Sequence, residues 1–188
     1  MKKVLKIAVI LTLALTLCGC FDYREIEESY VISAVGFDKG EEEFIVCLEA
    51  ANSEKNRVIS ASGDDFSKAL KNIGKMCSKR MEFSHTACIV LGDGLDENTR
   101  KTAINFCRGI KNLSPSAVVV RSVGAVPLLE CEPYDKTVGF DIVKILEKNK
   151  FEPSYLYEFS EDKKVLLPCF EISPNGIVLS ENRRSYVG

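Results

Sequence analysis

Three thiols and one imidazole carry most of the chemical potential of this sequence. His85 is the only histidine, and Cys88 follows it three residues later. A thiol paired with an imidazole is the starting point of nucleophilic catalysis. The surrounding stretch "MEFSHTACIVLG" alternates, however, and an alternating strand turns residues 85 and 88 to opposite faces. His85 is therefore expected as a hydrogen-bonded histidine in a half-buried strand, with no catalytic residue assigned. The other two thiols, Cys18 and Cys20, stand one residue apart where a greasy run meets a charged one. A thiol can accept a covalent group, and small neighbours let an enzyme close on the adjoining peptide bond.

The elements around Cys20 bear on that chemistry. Ile7–Leu17 is an uncharged run of eleven residues, apolar but for Thr12 and Thr16, against the roughly 20 that a membrane-spanning helix needs. Lys2, Lys3 and Lys6 precede it with no acidic residue among them, as in a signal peptide. No A-x-A pattern follows. Leu17-Cys18-Gly19-Cys20 instead resembles the bacterial lipobox: an aliphatic residue, two small residues, then the cysteine that takes a diacylglyceryl group. Cys20 fits the acceptor position, and cleavage is expected between Gly19 and Cys20. Cys18 does not fit, since Leu17 would then occupy the cleavage position. Two acyl chains anchor a protein stably where one binds marginally. The expectation is a membrane contact on the extracytoplasmic side, through lipid.

Loss of residues 1–19 removes those three lysines, so the formal net charge of −2 becomes −5. An acidic chain has no electrostatic basis for binding nucleic acid. Beyond Cys20 lie six cysteines, Cys47, Cys77, Cys88, Cys107, Cys131 and Cys169. Their number permits disulfides, but they are scattered over core-like segments without C-x-x-C spacing, which favours free buried thiols. Neither zinc spacing nor a nucleotide-binding glycine pattern occurs, so no metal and no cofactor is expected. Asp64, Asp65 and the run Glu41–Glu43 read as a helix cap and a solvated turn.

Periodicity supplies the framework. "SYVISAVGFD" and "EFIVCLEAA" read as a hairpin, with Phe44, Val46, Leu48 and Ala50 on one face. Residues 52–62 read as a polar loop. Phe66, Ala69, Leu70, Ile73 and Cys77 form a helical stripe capped by Ser62 or Asp64. The alternating stretch around His85 is a third strand, and Leu95, Ala103, Phe106, Ile110 and Leu113 mark a second helix entered at Gly94–Asp96. "SAVVVRSV" is a fourth strand, followed by helical pieces at Ala125–Glu130, at Val138, Ile142, Ile145 and Leu146, and from Pro153 to Phe159. "KVLLPCFEIS", a turn at "SPNG" and "IVLS" close the chain as a hairpin. Interleaved strands and helices with a hairpin near each end define an α+β fold with a mixed sheet. The expected organisation is a leader at 1–19, a tether at 20–28 and a single domain at 29–188.

One family fits this arrangement. Cys20, Phe21, Asp22, Arg24, Glu25 and Ile26 match in order the start of the mature chains of the Ger(x)C family, lipoprotein C subunits of bacterial spore germinant receptors. The resemblance continues through "GFD" at Gly36–Asp38, "DFSKALKNI" at 65–73, "FSHTACIVLG" at 83–92, "LLP" at 166–168 and the closing "YVG". Phe21 stands where the family usually has tryptophan, which keeps an aromatic and loses the indole donor. Family members continue past the equivalent of Gly188, so the resemblance implies the N-terminal domain of such a subunit. It further implies a non-enzymatic role in germination, on the outer face of the spore inner membrane, in assembly with an A-type and a B-type membrane subunit. Within about 3.6 Å per residue of the anchor, Phe21, Asp22, Arg24, Glu25 and Ile26 are candidate partner contacts. The alternative reading is an exported lipoprotein that binds a solute or peptide by itself; an anchored thiol hydrolase using Cys88 and His85 is the remaining one.

Overall fold

The computed structural model describes residues 29–52, 57–160 and 164–187, with the backbone alone from 181 onward. The expected leader, Cys20 and the contact residues up to Ile26 lie outside the described residues.

Eight strands and four α-helices are present among the described residues. In chain order they are β1 (Ser29–Lys39), β2 (Phe44–Ala50), β3 (Val58–Gly63), α1 (Phe66–Met76), β4 (Arg80–Glu82), β5 (Cys88–Gly92), α2 (Glu97–Gly109), β6 (Val118–Ser122), α3 (Ala125–Glu130), α4 (Val138–Lys148), β7 (Val165–Ser173) and β8 (Gly176–Val187). The sheet order is β3-β2-β1-β5-β6-β7-β8, with the short β4 beside the start of β1. β1, β5, β6 and β7 run parallel, and antiparallel partners flank them. The α+β reading with a mixed sheet and a hairpin near each end therefore holds.

Both faces of the sheet are covered, which is why the central strands read as continuous apolar runs. On the first face Phe37, Leu48, Ile89 and Val119 pack under Phe66, Ala69 and Ile73 of α1 and Ala103, Ile104 and Cys107 of α2. On the second, Ala34, Cys47, Val90 and Val120 pack under α3 and α4. After α4 the chain returns to the first face, where Leu156 and Phe159 join its core.

Four local expectations change. The polar 52–62 loop contains β3, an edge strand whose Ser60 and Ser62 alternate with Ile59 and Ala61, a pattern too weakly apolar to read as a strand. Asp65, not Ser62 or Asp64, caps α1, its Oδ1 accepting from Lys68 N at 2.7 Å. The piece from Pro153 to Phe159 is a single 3-10 turn at Leu156–Glu158. The strand expected around His85 is broken: β4 ends at Glu82, β5 starts at Cys88, and residues 83–87 form a turn closed by Thr86 N donating to Phe83 O at 3.0 Å. His85 is exposed rather than half-buried, and the polar residue the turn buries is Thr86, whose Oγ1 donates to Ile32 O at 3.2 Å. Phe83 and Thr86 go inward at a spacing of three, which alternation cannot produce.

Candidate functional site

Three charged side chains hold the second face to the sheet. Asp38, at the end of β1, accepts from Ala125 N and Val126 N at 2.9 Å each, placing a carboxylate on the first turn of α3. The opposite end of α3 meets Arg57, whose guanidinium donates to Leu129 O at 3.0 Å and to Cys131 O. Glu49, fully buried in β2, accepts from Val138 N at 2.7 Å and Gly139 N at 2.9 Å, the start of α4, and from Ser33 Oγ at 2.9 Å. Arg57 Nε lies 3.6 Å from Glu49 Oε1. Burial pushes the Glu49 carboxyl up from its ordinary value, against the amide and hydroxyl donors that pull it down.

This network explains motifs that the sequence presents without a role. In "GFD", Phe37 fills the first core, Asp38 holds α3, and Gly36 leaves room for the Cys47 thiol and Ala125, which a Cβ would strike. Gly92, closing "FSHTACIVLG", lies so near the Asp38 carboxylate that a Cβ there would overlap Oδ1. Glu49 and Arg57 escape a periodicity reading. The available signal is that Glu49 shares a strand face with Cys47, which is itself core, so its charge had to be buried and held.

The cysteines among the described residues carry reduced thiols. Cys47, Cys88, Cys107 and Cys169 are buried, Cys77 and Cys131 partly so. Burial raises the Cys88 thiol well above its ordinary value, and His85 stands outside on the turn, so the structure does not assemble a thiolate–imidazole pair. No group of three His, Cys, Asp or Glu among the described residues is arranged to hold a metal ion.

Three openings stand out among the described residues, one of them a polar hollow of about 450 Å³ bounded by Lys150, Glu152, Glu158 and Lys164. A cavity of about 280 Å³ beneath α4 is lined by His85, Ser84, Ser116, Glu147, Tyr155 and apolar neighbours. A larger groove of about 710 Å³ runs between α1 and α2 on the first face. Leu70, Met81, Phe106 and Ile110 form its apolar floor, with Lys71, Lys75 and Lys111 around them. Met81 belongs to β4, where it pairs with Tyr30 of β1. The groove therefore reaches the end of the sheet at which the described chain begins.

The described residues thus form a mixed sheet with helices on both faces, fastened by inward-turned charges and open along one helix pair. The chain belongs to the family described as the spore germination protein N-terminal domain, whose model matches residues 22–164. It is similar to spore germination protein KC of Bacillus subtilis (strain 168), with 25% identity over 196 residues, covering 81% of this chain and 48% of that relative. The chain thus spans about half the length of the curated relative. No solved structure matches it. Among the described residues no helix is long and apolar enough to cross a membrane.

Proposed function

We propose that this chain is a non-enzymatic, lipid-anchored subunit of a spore nutrient germinant receptor, acting in germination through assembly with A-type and B-type integral-membrane subunits. The observation that carries the reading is the family match over residues 22–164. Cys20 is the lipid attachment site, exposed by cleavage after Gly19. Nine residue steps separate Cys20 from Ser29, a reach of at most about 32 Å in extended chain. That distance keeps the start of β1 near the extracytoplasmic membrane surface. Phe21 and Ile26 then offer apolar contacts to a membrane partner, and Asp22, Arg24 and Glu25 offer charged ones.

Fractionation of spores together with intact-mass spectrometry tests the anchor. Cys20→Ser releases the chain from membranes or leaves an uncleaved precursor, whereas Cys18→Ser is nearly silent. An unmodified Cys20 in the mature protein would contradict the reading. Arg24→Glu tests the contact segment: a lipidated, folded, membrane-bound chain that no longer co-purifies with the two membrane subunits supports it, and unchanged co-purification confines residues 21–26 to a tether.

A further inference from the structure

The α1–α2 groove stands apart from the rest of the surface in its charge. The chain is acidic overall, with a formal net charge of −2. The residues lining the groove nevertheless include three lysines and no carboxylate. Elsewhere on the same two helices the lysines are paired with carboxylates, Lys68 with Asp64 and Lys101 with Glu97, whereas Lys75 meets only the neutral Asn72 Oδ1, at 3.0 Å. Lys71 and Lys75 lie along α1 and Lys111 just past the end of α2, so cationic groups bracket the apolar floor from both helices.

The floor is preformed. Leu70, Met81, Phe106 and Ile110 are half-buried and packed against the first core. The Phe106 ring stands edge-on to Phe37 at 6.1 Å and near Phe66 at 6.2 Å, which fixes its orientation. A trough between two helices, apolar at the bottom and about 710 Å³ in volume, suits the side chains that an amphipathic helix presents at i, i+3 and i+4. Charges at the edges of such a trough select the sign of the flanking residues on what enters.

We infer that this groove docks an amphipathic segment of a partner protein, apolar on the buried face and flanked by Asp or Glu. Resting on the receptor reading above, the partner is one of the two membrane subunits and the segment an extracytoplasmic loop or terminus. The position is consistent with that source: Met81 of the floor pairs with Tyr30, one residue into β1, at the end of the sheet where the described chain begins.

The test places a benzophenone amino acid at Asn105, an exposed residue of the lining, in the full chain expressed in spores. After irradiation, cross-linked peptides are identified by mass spectrometry and co-purification is measured on the same membranes. An adduct to an acidic segment of the A-type or B-type subunit is the expected result. Adducts to lipid, to this chain or a second copy of it, to an unrelated protein, or no adduct while co-purification persists, each overturn the groove assignment and leave the receptor reading standing. Failure of the unsubstituted chain to co-purify overturns both. A second arm combines Lys71→Glu, Lys75→Glu and Lys111→Glu, which should lower recovery of the membrane subunits by about tenfold or more at unchanged thermal stability and membrane association. Unchanged recovery sinks the charge argument.

Discussion

The two faces of the sheet are fastened in different ways. On the second face, α3 and α4 are tied down by charges drawn from the sheet and its loops: Asp38 on the first turn of α3, Arg57 on its last carbonyls, Glu49 on the start of α4. On the first face, α1 and α2 carry local caps at Asp65 and Asp96, pack through apolar side chains and leave a lysine-lined trough between them. Charge turned inward and satisfied by backbone groups fixes position. Charge left around an apolar trough, where among the described residues only Lys75 has a bond within the chain, to Asn72 Oδ1, is what the docking proposal would use.

The largest effect is expected at Glu49. Glu49→Leu strips two helix-start amides and Arg57 of their acceptor inside a closed core, at a cost of about 3 kcal/mol or more. Urea denaturation measures it, and Glu49→Gln, which keeps one acceptor, should lose less.

Gly92→Ala comes next, at about 2 kcal/mol, because its Cβ displaces the Asp38 carboxylate from α3. Asp38→Ala costs a similar amount, and the double variant should cost clearly less than the two singles together, since the same contact is lost in each. Strict additivity would show that Gly92 serves something other than Asp38.

A smaller effect concerns pH. Burial raises the Glu49 carboxyl in the folded chain, so the folded state holds its proton to higher pH than the unfolded one. The contribution of this group to stability is full below the unfolded carboxyl value and is lost as pH rises through the folded one. Denaturation curves across the acidic range should show that decline in the parent and a shallower one in Glu49→Gln.

Least affected should be His85. Exposed on its turn, it can become Gln or Asp with less than about 0.5 kcal/mol of change, measured by thermal denaturation. Loss of germination with normal stability in both variants would return a functional role to this residue and to the cavity it lines.

The strands and helices with strong periodicity were legible in the sequence: β1 and β2, the stripes of α1 and α2, the closing hairpin. What escaped has physical causes. β3 is an edge strand of Ser and small residues whose partner supplies the pairing. The turn at His85 buries Phe83 and Thr86 three apart, imitating alternation at one end only. Asp38, Glu49 and Arg57 converge from sites up to 90 residues distant from the helices they hold, a closeness no local window contains. The groove escaped for the opposite reason. Leu70 and Phe106 fall on the core stripes of their helices, but only the crossing of α1 and α2 shows that their outer edges stay open.

The proposed role of this chain is assembly at a membrane. Affinity purification of the tagged, full-length chain from detergent-solubilised spore membranes, with quantitative mass spectrometry of the eluate, tests it most directly. A-type and B-type subunits should both be enriched over an untagged control, and the enrichment should fall in the Lys71, Lys75 and Lys111 variant. A lipidated chain recovered from the same membranes with neither subunit enriched would contradict it.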